Sequence, residues 1–155
     1  MRIGVVGAGI MGADHARILH RDVPQADVVM IADVDRARAQ AVAEGIPGAH
    51  ATDDALALIR SDEVDAVLVA SSDATHAEYV HACLDLRKPV LCEKPLAMNV
   101  AEAQAVVAAA KKNKTINMVC HNYRRIPAIA LAKRKNATPV RLSNGEMRFT
   151  YGVAY

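Results

Sequence analysis

The sequence is poor in aromatic residues and in excess charge of either sign. Aromatic side chains make up only 3% of the 155 residues and tryptophan is absent, whereas 52% of the residues are hydrophobic. Aliphatic side chains must therefore fill the core, which suits parallel strands covered by helices on both faces. Nineteen basic and 17 acidic side chains give a formal net charge of +2. This near balance lacks the excess of positive charge that is typical of nucleic-acid-binding proteins, so nucleic acid is not expected as a partner.

Cysteines and long apolar runs are also scarce. Cys83, Cys92 and Cys120 lie far apart and form no C-x-x-C pair, so neither a disulfide framework nor a cysteine zinc site is predicted. The N-terminal apolar run, residues 3–6, is too short for a signal-peptide core or a membrane span. We expect a cytoplasmic protein with reduced thiols and no membrane partner.

Short apolar runs alternate with helical segments along most of the chain. Strands are predicted at residues 2–6, 27–32, 64–70, 90–92 and 116–120. Helices are predicted at residues 10–20, 36–44, 76–86 and 99–112, with a short one that ends at residue 60. This order predicts an α/β fold, a Rossmann-type doubly wound parallel sheet.

The pattern changes after residue 120. A further helix is expected over 123–135 despite Pro127. Apolar residues then alternate at the strand period from Met147 to Tyr155, and Asn144-Gly145 is a typical hairpin turn to a strand at 140–142. We interpret residues 121–155 as a linking helix and the first β element of a second α/β domain, truncated at the end of the chain.

Residues 7–12 read G-A-G-I-M-G and match G-x-G-x-x-G between a predicted strand and a predicted helix. The first glycine permits a tight turn, the second lets the backbone approach a pyrophosphate, and the third lets the helix pack on the strand. A merely structural turn is the alternative, but the flanking elements favour dinucleotide binding. The predicted cofactor contacts here are Gly7, Gly9, Ile10, Met11 and Gly12.

Asp33 ends the second predicted strand, 21 residues after Gly12. This spacing suits a carboxylate that binds the adenosine ribose 2′-hydroxyl and would repel a 2′-phosphate, which favours NAD over NADP. The alternative is that Asp33 caps the next helix, although Asp35 is better placed for that. NADP is the alternative cofactor, because Arg36 would either flank the adenine or bind a 2′-phosphate.

Six histidines raise the question of a metal site. The closest pair, His76 and His81, diverges by roughly 140° on a helix and does not form H-E-x-x-H, so no metal site is predicted. His15 and His20 are interpreted as helix-surface or packing residues. His76 and Ser71 belong to the loop after the third strand, at the predicted cofactor edge, and are candidate cofactor contacts.

Residues 90–95 read V-L-C-E-K-P, a short apolar strand that ends in a charged pair. In open parallel sheets ligands bind outside the carboxyl ends of the strands. Beside a nicotinamide, Lys94 would bind a substrate hydroxyl and ease its deprotonation during hydride transfer, with Glu93 holding Lys94 in place. A surface ion pair is an equally open alternative. Tyr123 and its basic neighbours follow the fifth strand and would meet a polyol, or form a solvated turn.

Together these segments resemble the Gfo/Idh/MocA family of oxidoreductases. The resemblance rests on G-A-G-I-M-G at 7–12, the aspartate at 33, D-A-T-H at 73–76, L-C-E-K-P at 91–95 and N-Y-R-R-I-P at 122–127. It implies an NAD(P)-binding Rossmann domain over 1–120 and a C-terminal substrate domain. It also implies oxidation or reduction of sugars, inositols or related polyols, and a homo-oligomeric full-length enzyme.

By this resemblance Lys94 is the catalytic lysine and contacts both cofactor and substrate. By the same resemblance His76 lies in the nicotinamide loop, and Tyr123 and Arg124 fall in the segment that faces cofactor and substrate. Glu93 is a further candidate cofactor contact. The family's acid/base histidine and aspartate come from the C-terminal domain, so we expect this chain to bind NAD and to turn over little alone. Two alternatives are a stand-alone NAD-binding module that docks a partner and a relative of NAD-dependent glycosidases.

Overall fold

A computed structural model describes residues 1–134, 138–141 and 147–150. The chain divides into two compact units, Met1–Cys120 and His121–Tyr155. The strands of the first unit are β1 (Arg2–Val6), β2 (Asp27–Ala32), β3 (His50–Thr52), β4 (Ala66–Val69), β5 (Val90–Glu93) and β6 (Asn117–Cys120). Its α-helices are α1 (Ile10–Asp22), α2 (Arg36–Ala43), α3 (Ala55–Arg60), α4 (His76–Asp85) and α5 (Val100–Asn113).

All six strands of the first unit form one parallel sheet in the order β3-β2-β1-β4-β5-β6. The chain winds outward from β1 in one direction and then returns to β4 on its other side. This strand order confirms the predicted Rossmann-type fold. It also puts the point of reversal, where such sheets bind ligands, between β1 and β4.

The strands are apolar on both sides because helices cover both faces of the sheet. One core cluster joins the strands to α1 and α2, and includes Ala16 and Ala39. The other joins them to α3, α4 and α5, and includes Leu58, Leu84 and Val106. The abundant alanines let helices approach the sheet closely, which is how a core almost without aromatic residues is filled.

Three helices begin at a side chain that accepts a hydrogen bond from the helix backbone. Asp35 accepts from the N–H of Arg38 at 3.2 Å, as predicted for the cap of α2. Asp54 and Asn99 cap α3 and α5 in the same way. Such caps fix where a helix starts and therefore which loop residues precede it.

The sequence predicts five strands for the parallel sheet, but the sheet has six. The additional strand, β3, is only three residues long, His50–Thr52, and pairs with β2 at the sheet edge. Its residues are exposed or half-buried, so it lacks the apolar run by which the other strands are recognised. None of the helices in the described residues is long and apolar enough to cross a membrane.

The second unit begins with a 3₁₀ turn, Asn122–Arg125, followed by α6 (Pro127–Arg134). The single helix predicted over 123–135 is therefore divided, because the residue before a proline disfavours helical backbone and Pro127 starts a new helix. Strands β7 (Thr138–Arg141) and β8 (Met147–Thr150) pair antiparallel, as predicted for the tail. The turn at 144–145 and residues 151–155 lie outside the described residues.

Arg2 joins β1 to the segment that leads into β4. Its guanidinium donates to Asp65 Oδ1 at 2.6 Å and its backbone N–H donates to Oδ2 at 2.8 Å. These hydrogen bonds lower the pKa of Asp65 from 3.8 to about 2. In an Arg2→Gln variant, that pKa should rise toward its ordinary value of 3.8, measured by NMR titration of the carboxyl carbon.

A depressed folded-state pKa stabilises the protein above the unfolded value, and this contribution is lost as the pH falls through about 2. The pair is exposed, so its effect on the free energy of unfolding should be small. Arg17→Gln, which removes an exposed pair within α1, is the control and should leave Asp65 unchanged. An Asp65 carboxyl that still titrates near 2 without the guanidinium would contradict the assignment to Arg2.

Candidate functional site

A cleft of about 280 Å³ opens at the carboxyl ends of β1, β2 and β4. Gly7 and Gly9 form one wall, and Asp33 and Arg38 line the side near β2. Ser71, which follows β4, lines the opposite side. The cleft therefore lies at the point where the strand order reverses, the usual ligand position in this type of sheet.

The structure gives a different reason for glycine at each of the three motif positions. Gly7 has a φ of +99°, and a Cβ there would lie 2.4 Å from the carbonyl oxygen of Ala70. A Cβ on Gly12 would lie 1.8 Å from the carbonyl oxygen of Gly7, so α1 can pack on the turn only with glycine there. A Cβ on Gly9 would meet nothing within 4 Å. The fold thus requires the first and third glycines, whereas the second leaves open space in the cleft.

The first turn of α1 faces outward. Ile10 is 84% exposed and Met11 is 44% exposed. Gly9 caps the helix without a side-chain hydrogen bond, and the first turn carries no acidic residue. The helix N-terminus therefore presents backbone N–H groups and a positive dipole end, which suit a pyrophosphate.

Asp33 connects the glycine turn to the second strand. Its buried carboxylate accepts the backbone N–H of Ala8 at 2.7 Å through Oδ2 and that of Asp35 at 2.9 Å through Oδ1. Arg38 Nη1 also donates to both oxygens, to Oδ1 at 3.3 Å and to Oδ2 at 3.5 Å, so a ribose hydroxyl would have to share or displace these long contacts. Asp33 thus shapes the turn as well as lining the cleft.

The basic neighbour of Asp33 is Arg38, which the sequence pattern does not single out. Its Nη1 lies 3.3 Å from Asp33 Oδ1, and its Nη2 lies 3.3 Å from Asp35 Oδ2. Arg36, the residue considered for this role from the sequence, is exposed and makes no ion pair within the described residues. The starting residue of α2 determines which arginine faces Asp33. Because Asp35 caps the helix, Arg38 and not Arg36 lies on the side of Asp33.

Lys94 follows directly after β5, and its side chain is exposed. Among the residues that the structure describes, none forms a hydrogen bond or ion pair with its ammonium group. Glu93, the last residue of β5, is only 7% exposed. Its Oε2 accepts the backbone N–H of Lys94 at 3.1 Å, so Glu93 holds the main chain of Lys94 and leaves the ammonium available.

The other oxygen of Glu93 meets His15 of α1, with Oε1 and Nε2 2.8 Å apart. Burial raises the pKa of Glu93, but hydrogen bonds from His15, Cys120 and the Lys94 N–H outweigh it and lower the pKa overall. Donor atoms of His15, Glu93 and Cys120 all lie within 4.8 Å of one another. Such a set is able to hold a metal ion, although hydrogen bonds to Glu93 already explain the arrangement.

His76 joins the loop after β4 to the turn after β5. Its ring is 1% exposed, with Nδ1 2.6 Å from the carbonyl oxygen of Pro95 and Nε2 3.1 Å from that of Ser71. Ser71 itself lines the cleft, and its hydroxyl lies 2.7 Å from that of Thr75. His76 is therefore a buried link between two loops at the sheet edge.

Tyr123 and Arg124 belong to the second unit. Tyr123 is 70% exposed and lies in the 3₁₀ turn, whereas the side chain of Arg124 lies outside what the structure describes. Contact of either residue with a substrate stays a prediction, as do the cofactor contacts expected from the sequence.

Comparison with known protein families agrees with the fold and the cleft. Residues 1–121 match the GFO_IDH_MocA family model, described as an oxidoreductase family with an NAD-binding Rossmann fold. The chain belongs to this family. The resemblance of residues 7–12 and 91–95 to the Gfo/Idh/MocA family is thereby confirmed, and so is the prediction of an NAD-binding Rossmann domain.

Several relatives in the Gfo/Idh/MocA family are inositol dehydrogenases. The chain is 51% identical over 109 residues to inositol 2-dehydrogenase 2 of Paenarthrobacter aurescens, which covers 70% of this chain and 32% of the relative. It is 53% identical over 107 residues to inositol 2-dehydrogenase of Rubrobacter xylanophilus, covering 69% and 30%. The chain thus spans about a third of the length of the curated relatives it matches.

Among solved structures, myo-inositol dehydrogenase from Lactobacillus casei, in complex with NAD(H) and myo-inositol, is similar with a TM-score of 0.82. That likeness has 29% identity and covers 88% of this chain and 41% of the solved chain. A probable dehydrogenase from Thermotoga maritima is similar with a TM-score of 0.78 and 36% identity, covering 88% and 40%.

The surroundings of the glycines predict different effects of the same substitution. Gly9→Ala should weaken NAD binding at least about tenfold, because a methyl group enters the space next to the helix N-terminus, while the free energy of unfolding changes by about 1 kcal/mol or less. Gly12→Ala should lower the melting temperature markedly, because its Cβ collides with the Gly7 carbonyl. Calorimetry of NAD binding and thermal unfolding measure the two effects, and Gly45→Ala, far from the cleft, serves as the control. Unchanged NAD affinity in a folded Gly9→Ala protein would contradict the assigned approach of the pyrophosphate.

Proposed function

We propose that this chain is the cofactor-binding part of an NAD-dependent dehydrogenase that transfers a hydride between a polyol or sugar CH–OH group and nicotinamide. The observation that carries this proposal is the Lys94 ammonium, which has no partner among the described residues and lies at the carboxyl end of β5, on the same sheet edge as the glycine cleft. The relatives named inositol 2-dehydrogenase support the substrate class.

The residues of the cleft fit a dinucleotide. The space beside Gly9 and the N-terminus of α1, which has no side-chain cap hydrogen bond, suit a pyrophosphate. In this proposal Asp33, which lines the cleft on the β2 side of the turn, binds the adenosine ribose. The nicotinamide half would then extend across β4 toward β5, along Ser71 and toward Lys94. This direction follows from the strand order, since β1, β4 and β5 are neighbours in the sheet.

When bound, NAD supplies the hydride acceptor for oxidation of the alcohol. The Lys94 ammonium would donate a hydrogen bond to the substrate oxygen and stabilise the negative charge that grows as the hydroxyl proton leaves. Glu93 would hold the main chain of Lys94 through the 3.1 Å hydrogen bond to its N–H. We assign no proton acceptor to this chain, and we infer that complete turnover needs groups from the remaining length found in its relatives.

The relative affinity for NAD and NADP tests the residues that we propose lie next to the adenosine ribose. The Asp33 carboxylate would repel a 2′-phosphate, so the chain should bind NAD more tightly than NADP. Arg38→Gln should weaken NADP binding about fivefold to tenfold more than NAD binding, because it removes the cation beside Asp33. Arg36→Gln is the matched control on the same helix turn and should leave the ratio of the two dissociation constants unchanged. The reverse pattern, with Arg36 dominant, would contradict the geometry, and calorimetric titration with both nucleotides distinguishes the two.

Substitution of Lys94 tests the proposed role of its ammonium in hydride transfer. In an active enzyme that carries this domain, Lys94→Met should lower kcat for myo-inositol oxidation by about 10²-fold or more, while NAD still binds. Lys111→Met, an exposed lysine on α5, is the control and should retain full activity. Steady-state rates of NADH formation measure both variants. A nearly normal kcat in the Lys94→Met enzyme would contradict a catalytic role for Lys94.

A further inference from the structure

Lys94 lies between two residues that are each held by a histidine from another part of the chain. Glu93, before it, is bound through its carboxylate by His15. Pro95, after it, has its carbonyl oxygen 2.6 Å from Nδ1 of His76. The two histidines come from α1 and α4, so the turn is tied to two different helices.

The link through His15 reaches the main chain of Lys94 in two steps. Because the hydrogen bonds to Glu93 lower its pKa, the carboxylate is the form in place, and His15 Nε2 must carry the hydrogen that it donates to Oε1. The other oxygen, Oε2, accepts the N–H of Lys94 at 3.1 Å. His15 therefore fixes the orientation of the carboxylate, and the carboxylate fixes the start of the turn.

The link through His76 acts on the end of the turn. Both ring nitrogens face backbone carbonyl oxygens, those of Pro95 and Ser71, at 2.6 and 3.1 Å. Carbonyl oxygens only accept, so a neutral imidazole donates to one of them and a doubly protonated ring donates to both; the shorter contact, to Pro95, favours Nδ1 as a donor in either case. The ring is 1% exposed, so water does not compete for these contacts. His76 thus holds the Lys94 turn next to the loop that lines the cleft.

We propose that His15 and His76 are positioning residues that fix the main chain on either side of Lys94 and so aim its side chain at the nicotinamide half of the cofactor site. This inference rests on the proposed function, because it takes the target of Lys94 from there. This role does not require either histidine to touch cofactor or substrate. They leave the Lys94 ammonium without a protein partner among the described residues, and they constrain where it points.

The test uses the 155-residue chain and two probes, NAD and ADP-ribose, which lacks the nicotinamide. His15→Leu and His76→Phe remove the hydrogen-bonding nitrogens and keep an apolar side chain. In each variant the preference for NAD over ADP-ribose should fall about tenfold relative to the original chain, with ADP-ribose affinity retained. His20→Leu and His81→Phe, on the same two helices, are the controls and should behave like the original chain.

Conservative variants separate positioning from general stability. The amide nitrogen of His15→Gln occupies roughly the place of Nε2, and that of His76→Asn roughly the place of Nδ1, so both should recover most of the preference. Long-range ¹H–¹⁵N NMR spectra of the original chain should show His76 protonated on Nδ1, and a ring protonated on Nε2 alone would overturn that link. This spectrum requires no variant, so it holds even if His76→Phe does not fold.

The binding outcomes are distinct. A selective loss of NAD affinity, with recovery in the Gln and Asn variants, supports the positioning role. Equal loss for both probes, or no loss for either, overturns it. An original chain that binds ADP-ribose and NAD equally would show that the turn does not meet the nicotinamide, and this also overturns it. An original chain that binds neither probe would refute the proposed function, and the inference with it.

Discussion

The contact between Gly12 and the carbonyl group of Gly7 is the constraint on which the rest of the site depends. It brings α1 so close to the end of β1 that a Cβ would lie only 1.8 Å from the carbonyl oxygen. The same packing sets the direction of the helix N-terminus, which offers its N–H groups to an anion. His15 lies three residues further along the same helix, on the neighbouring turn. The contact that shapes the proposed pyrophosphate site thus also determines where His15 meets Glu93.

Two buried carboxylates serve the sheet edge in the same way. Asp33 ends up beside β2 and holds the N–H of Ala8, whereas Glu93 ends β5 and holds the N–H of Lys94. Burying a carboxylate is costly unless it is hydrogen-bonded, and here each carboxylate also has a basic neighbour. Each one therefore holds the backbone of a loop at the edge where we propose that the cofactor binds, so the proposed site depends on this loop geometry.

The strands and the glycine turn could be predicted because their signals are local. Continuous apolar runs mark buried parallel strands, and the spacing of the glycines marks the turn. Strand β3 has no such signal, since its three residues depend on pairing with β2. The link between His15 and Glu93 spans 78 residues of sequence, and no local pattern reveals it. The sequence does contain one hint, because a residue three positions after Gly12 lies on the face of α1 that meets the sheet.

The histidine links explain how a lysine beside a glutamate stays available. An exposed lysine next to a carboxylate in sequence is usually expected to form a weak surface ion pair with it. Here the carboxylate of Glu93 is buried, and its two oxygens are used by His15 and by the N–H of Lys94 itself. The ammonium of Lys94 is thereby separated from its natural counter-ion, although the two residues are adjacent. A substrate hydroxyl requires a donor at the sheet edge that is not already paired, and among the described residues Lys94 is such a donor because other hydrogen bonds occupy the Glu93 carboxylate.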